Sequence, residues 1–178
     1  MRIIAGEKRG LKLFEFEGSD IRPTTDRVKE NIFNIIAQHV YDSDVLDLFC
    51  GTGALGIEAV SRGCRSAFFC DSDSRSLARA KKNVLHAGFE SKCVLNQINA
   101  LAFLKSTNLK FDIVFLDPPY NSGLCESALS LIFEKGILTT DGIAVVERDE
   151  TDKFSFFGAK LIKEKKYGRT YIDIYANK

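Results

Sequence analysis

The sequence predicts an α/β domain: a doubly wound, mostly parallel sheet that an antiparallel hairpin closes. Three observations predict it. From residue 44 onward, short runs rich in β-branched and aromatic residues alternate with segments of helical periodicity. The first of those runs ends in a glycine-rich turn that opens a helix. The last two runs follow each other with no room for a crossover helix, so that pair must be antiparallel.

Taken in order, strands are expected over residues 45–49, 66–70, 93–95, 113–116 and 143–147, separated by helices over 54–62, 75–87, 100–105 and 126–133. Crossovers of that length join parallel neighbours. Residues 159–166 and 170–175 flank the turn Tyr167-Gly168-Arg169 and form the closing hairpin. Ahead of this beat, Gly6 and Gly10 bracket a turn between the β-like runs 2–5 and 11–16, an N-terminal hairpin. Pro23, Thr24, Thr25 and Asp26 are helix-start residues. Val28, Ile32, Phe33, Ile35 and Ile36 follow at helical spacing, which predicts one helix over 25–39. No repeat or long linker divides the chain, so it reads as one α/β domain over 41–178 carrying an N-terminal hairpin and helix extension, 1–40, packed on it.

Composition narrows the class. A chain of 178 residues can bury roughly two-thirds of its unfolded surface, and 45% apolar with 28% charged residues is ordinary for a folded domain. The longest apolar runs, 113–116 and 143–146, fall far short of the roughly 18 residues that span a bilayer. The N-terminus has neither the apolar region nor the cleavage site of a secretory leader, so the expected location is cytoplasmic. Cys50, Cys64, Cys70, Cys93 and Cys125 include no C-x-x-C pair and no neighbouring His at ligand spacing, which predicts free thiols and no metal. His39 and His86, near helix ends, are assigned no chemistry.

The formal net charge of +1 argues against a uniformly basic nucleic-acid-binding surface. Basic residues nevertheless gather at both ends. Arg2, Lys8, Arg9 and Lys12 face a single acid, Glu7; Lys160, Lys163, Lys165, Lys166 and Arg169 face only Glu164. Either group suits phosphate contact, and either suits a solvated strand face.

The segment VLDLFCGTGALGIE places Asp47, Phe49, Gly51, Thr52 and Gly53 where the first strand hands over to its helix. Gly51 and Gly53 permit a turn that other residues follow poorly and let a ligand approach main-chain N–H groups. Twenty residues after Gly51, Asp71 ends the second strand, where a carboxylate can accept both hydroxyls of a ribose. The same glycine-plus-acid pattern serves dinucleotides. Asp47 separates the two readings, because in D-x-F-x-G-x-G an acid would repel a pyrophosphate yet suits the cationic amino-acid end of S-adenosylmethionine. Ser72, Asn99 and Ala100 stand where an adenine edge would reach, although Asn99 equally suits a helix cap.

The fourth parallel run, FDIVFLDPPY, delivers Asp117, Pro118, Pro119 and Tyr120 to the same edge. An exocyclic amine is a poor nucleophile because its lone pair is delocalised into the ring, so a catalyst must hold its hydrogens and turn the nitrogen toward the methyl donor. The Asp117 carboxylate and Pro118 carbonyl suit that task. Consecutive prolines hold a rigid extended backbone without competing N–H groups, and Tyr120 offers a ring for stacking. Positioning alone suffices, with no metal and no covalent enzyme intermediate. A mostly parallel seven-stranded sheet closed by an antiparallel hairpin is the Rossmann-like class I S-adenosylmethionine-dependent methyltransferase architecture.

With these residues in place, the chain resembles the RsmD-type family, bacterial 16S ribosomal RNA guanine-N2 methyltransferases, over nearly its whole length. The resemblance lies in RIIAGEKRGLKL, RPTTDRVKENIFNII, LDLFCGTGALGIEAVSRG, and FLDPPY followed by GRTYIDIY. It implies methylation of guanine N2 in a hairpin loop of 16S rRNA, within the small subunit or its assembly intermediate, by a monomer. It also implies that Arg22, Thr24, Asp26 and Arg27 border the active site. Arg2, Lys8, Arg9, Arg27 and Arg169 are the expected phosphate contacts. The rival reading is an N6-adenine methyltransferase, since a D-P-P-Y corner suits any planar exocyclic amine. A target base in a loop unstacks at lower cost than one in a duplex.

Overall fold

Strands covered on both faces need near-continuous apolar runs, and the runs around Val45, Ala67, Ile113 and Ile143 become the fully buried centre of a seven-stranded sheet. The computed structural model describes residues 1–15, 26–119, 123–151, 156 and 158–178. β1 (Asp44–Asp47), β2 (Ser66–Asp71), β3 (Cys93–Gln97), β4 (Phe111–Leu116) and β5 (Leu138–Asp149) run parallel. β7 (Thr170–Ala176) lies antiparallel between β5 and the edge strand β6 (Lys160–Tyr167). The order is β3-β2-β1-β4-β5-β7-β6. This is the mostly parallel class I sheet with its closing hairpin that the alternation of elements predicts.

Two apolar cores flank the sheet. On one face α1 (Asp26–Ile35), α2 (Ala37–Val40), α3 (Ala54–Ser61) and α4 (Ser74–Ala87) pack together with Ile3 and Leu13. On the other lie α5 (Ala100–Ser106) and α6 (Leu124–Glu134). Among the described residues no helix is long and apolar enough to cross a membrane.

Three elements differ from expectation. The first helix is not continuous: Ile36 leaves helical geometry at φ −98° and ψ 13°. The chain resumes as the short α2 with the His39 N–H donating to the Ile36 carbonyl, and Ile36 and Val40 drop into the core. The N-terminal hairpin is reduced to one antiparallel bridge, Arg2 to Lys12, because the backbone of residues 4–8 turns to bond α3 instead of a partner strand. β5 starts five residues early, at Leu138 opposite Phe111. Its register shifts before Ile143, where Gly142 passes so close that a Cβ would stand 2.9 Å from the Phe111 carbonyl oxygen.

Candidate active site

Parallel strands bring their carboxyl ends to one edge, and here β2, β1 and β4, side by side, bring three acids. Asp47 pairs with Phe69 on one side and Phe115 on the other, so Asp71 and Asp117 each stand two residues further along, flanking it. The turn between β1 and α3 is built by glycines with positive φ, 53° at Gly51 and 79° at Gly53. The Cys50 N–H donates to the Cys70 carbonyl at 3.0 Å and the Gly53 N–H to the Cys50 carbonyl at 2.7 Å, which fixes the loop against β2. A Cβ at Gly51 would meet nothing within 4 Å, so the turn is open above that residue. Gly56 serves a different purpose: a Cβ there would stand 2.3 Å from the Phe69 ring, so its absence lets α3 lie directly on β2.

Asp71 is held in place by its own neighbours. One carboxylate oxygen accepts the Gly51 N–H and the other the Asp73 N–H, both at 2.9 Å. Each oxygen keeps acceptor capacity for a ligand hydroxyl. Asp47 is buried and accepts the Gly56 N–H at 3.0 Å, at the start of α3. Burial, with smaller contributions from Asp117 and Asp71, pushes its carboxyl up to about 7, against the opposing pull of the Gly56 hydrogen bond. This edge therefore concentrates negative charge around a carboxyl whose ionised form is penalised. A nucleoside that carries positive charge fits such a donor set, and S-adenosylmethionine, with its sulfonium and ammonium groups, has that composition.

The other expected contacts fall out unevenly. Phe49 and Thr52 are partly exposed along the loop, and Ser72 is exposed beside Asp71. Asn99 caps α5, its side-chain oxygen accepting the Ala102 N–H at 3.1 Å, and Ala100 is buried behind it. Asp117 is half-buried, Pro118 buried and Pro119 exposed. Tyr120, Arg22 and Thr24 lie outside the described residues. Burial pushes the Cys70 thiol up to about 12 and Cys50 higher still, so neither is a thiolate nucleophile at neutral pH.

Of the expected RNA contacts, Arg2 is engaged with Asp26: its backbone N–H and its Nε both donate to that carboxylate at 3.1 Å. Arg2, Arg9 and Arg27 line one cavity of about 380 Å³ together with Asp26 and Glu30. Lys8 instead sits at the C-terminal end of α3, where its N–H donates to Ser61 Oγ. At about 1.5 Å per residue, that end of α3 is on the order of 10 Å from the glycine loop. Arg169 reaches Asp149 and Glu150 at 3.2 and 3.3 Å, so acids already meet its charge.

Three residues outside those expectations organise the site. Asn83, fully buried on α4, accepts the Phe14 N–H at 2.7 Å and donates to the Phe14 carbonyl at 3.0 Å and the Thr52 carbonyl at 2.9 Å. It thus joins the N-terminal segment to the glycine loop through one amide. Phe14 also packs on His86, ring centroids 5.0 Å apart. Glu58, buried in α3, accepts the N–H groups of Ile4 and Ala5 at 2.8 and 3.0 Å and pairs with Lys29 and Arg62 at 3.1 and 2.7 Å. A signal for each was present. Asn83 lies in the stripe Ala80, Val84, Ala87; Lys29 lies in the stripe Val28, Ile32, Phe33; Glu58 is the one charge of an otherwise apolar α3. A polar residue on an apolar helix face needs a buried partner.

Comparison with known proteins agrees with this geometry. The family model for conserved hypothetical protein 95 matches residues 1–176. Ribosomal RNA small subunit methyltransferase D of Haemophilus influenzae is 39% identical over 99% of this chain and 94% of its own. The protein of that name from Escherichia coli is 38% identical over 84% and 75%. A solved structure titled "Putative methyltransferase yhhF from Escherichia coli" superposes with a TM-score of 0.89 at 34% identity, covering 100% of this chain and 98% of that one. The chain belongs to the conserved hypothetical protein 95 family, the RsmD-type family its motifs resemble.

Proposed function

We propose that the chain is an S-adenosylmethionine-dependent methyltransferase that modifies the exocyclic N2 of a guanine in 16S rRNA of the small ribosomal subunit. The observation that carries this reading is the convergence of Asp71, Asp47 and Asp117 on three adjacent strand ends around an open glycine turn. The names of the two relatives supply the substrate class, and the family resemblance supplies the guanine. Bound S-adenosylmethionine supplies an activated methyl group on sulfur. Asp71, steadied by the Gly51 and Asp73 N–H groups, receives the ribose hydroxyls. Asp47 offsets the cationic end through the loop. Asp117 and the Pro118 carbonyl would hold the hydrogens of the target amine and turn its lone pair toward the bound donor, and the nitrogen would lose a proton on methylation. In this reading the Asp117 carboxylate receives it. The enzyme acts as a monomer in the cytoplasm, on the subunit or an assembly intermediate.

Labelled methyl transfer to small subunits that lack the modification, followed by nucleoside analysis of the digested rRNA, tests this. The expected product is N2-methylguanosine, and Asp117→Ala is expected to lower the rate by about 100-fold or more while S-adenosylmethionine still binds. N6-methyladenosine as product would establish the rival reading, and full activity of Asp117→Ala would remove that residue from the mechanism.

A further inference from the structure

We propose that Lys160, Lys163 and Lys165 form a binding surface for the phosphodiester backbone of the RNA substrate, along one face of the edge strand β6. The inference rests on the RNA-modifying function above and adds a surface to it.

Residues paired across a sheet project to the same face. Lys165 pairs with Ile172 and Lys163 with Ile174, both buried in the core that holds Ile3, Ile32 and Phe33; Lys160 pairs with Ala176, packed on that same core. These three lysines therefore share the face that carries α1 and the N-terminal segment. Strict alternation would put Lys160 on the opposite face from Lys163. The register shift between Leu161 and Lys163 inserts one residue and returns Lys160 to the side of the other two.

The opposite face of the same strand is electrically satisfied. Glu164 pairs with Arg148 at 2.9 Å, Arg148 with Asp173 at 2.6 Å, and Lys166 with Glu150 at 3.2 Å. Arg169, at the hairpin turn, is met by Asp149 and Glu150. The acids around this hairpin thus serve Arg148, Lys166 and Arg169, while Lys160, Lys163 and Lys165, all exposed, have no carboxylate within ion-pair distance among the described residues. Lysines also protect a sheet edge from pairing with another chain. That role is indifferent to which face they occupy and gives no reason for a bulge that aligns three of them.

Position favours the substrate as the partner. The hairpin turn beside Asp149 lies at the carboxyl edge of the sheet, the edge that carries Asp117. β6 is three strand positions from β4, about 14 Å at the usual spacing. Lys165 and Lys163 are about 6.6 Å apart along the strand, a step comparable with that between successive phosphates of an extended nucleic-acid strand. The row begins near the reacting edge and leads away from it, as a flanking strand held by its phosphates would.

The test compares wild type with the triple variant K160Q/K163Q/K165Q and a charge-matched control outside the β6–β7 hairpin, K81Q/K92Q/K105Q, for binding and methylation of unmodified small subunits at several salt concentrations. The β6 triple is expected to bind about tenfold or more weakly, with a raised KM, an unchanged kcat and an unchanged S-adenosylmethionine affinity. At about 0.7 per phosphate released from a single strand, its salt slope should be shallower by about 2. The control should match wild type. A β6 triple with the affinity and slope of wild type, or a control that weakens as much, would overturn the surface while leaving the methyltransferase reading intact. A wild-type protein that neither binds nor methylates the subunits would overturn that reading, and this surface with it.

Discussion

Asp47 and Glu58 are buried carboxyls eleven residues apart, one beneath the glycine loop and one in the helix that follows it, and their surroundings are opposite. Glu58 is surrounded by what an anion needs: the Lys29 ammonium, the Arg62 guanidinium and two backbone N–H groups. Asp47 has the Gly56 N–H, and the charged groups that act on its ionisation are two further acids, Asp117 and Asp71. A charge the protein neutralises internally is a structural joint; a charge it leaves to other acids is a place for a cation from outside. The difference separates the part of the molecule that fastens the N-terminal segment from the part proposed to receive the cofactor.

The largest way to break this comparison is at Glu58. Glu58→Gln leaves the Lys29 ammonium buried without its counter-charge, which costs about 3–5 kcal/mol. Denaturant unfolding should show that loss, while S-adenosylmethionine affinity of the folded fraction stays near wild type. Asn83 lies between the two regions, and Asn83→Leu leaves the Phe14 N–H and the Phe14 and Thr52 carbonyls without their partner, a loss of about 1–3 kcal/mol. Because one amide serves both segments, that variant should weaken cofactor binding and lower Tm together, whereas Phe14→Ala should lower Tm with a smaller effect on binding. The smallest change in folding is expected at Asp47. Asp47→Asn removes a penalised charge, so the stability of the ligand-free protein at pH 8 should not fall, yet its S-adenosylmethionine affinity should drop by about tenfold, or ~1.4 kcal/mol.

How far the sequence reveals this arrangement depends on the range of the interactions. The sheet is legible because continuous apolar runs and helical stripes are local, and the closing hairpin because a short connection excludes a crossover. The acids at the strand ends are legible for the same reason: topology alone brings residues that follow parallel strands to one edge. The break at Ile36 is not, since it is decided by whether Ile36 and Val40 reach the core, which the periodicity of 25–39 does not contain. The reduction of the N-terminal hairpin to one bridge follows from bonds to Glu58 and Ser61, more than fifty residues away. The pairing of Arg169 with Asp149 and Glu150 is likewise set across strands, so a residue that looks like a free basic contact in the sequence is already neutralised in the fold.

The ionisation of Asp47 gives the most direct measurement. Its carboxyl is raised from an ordinary 3.8 to about 7, so between those values the folded ligand-free protein holds a proton there that the unfolded chain has released, and the contribution of this one group to stability declines as the pH rises from about 4 to about 7. A cationic ligand favours the ionised form, so binding near or below pH 7 must expel that proton and must tighten as the pH rises through about 7. Titration calorimetry with S-adenosylmethionine near pH 6.5, in buffers of different ionisation enthalpy, should therefore show proton release in wild type and none in Asp47→Asn. Proton release that is the same in both proteins, or a failure of wild type to bind S-adenosylmethionine at all, would contradict the assignment of this acidic edge to a cationic cofactor.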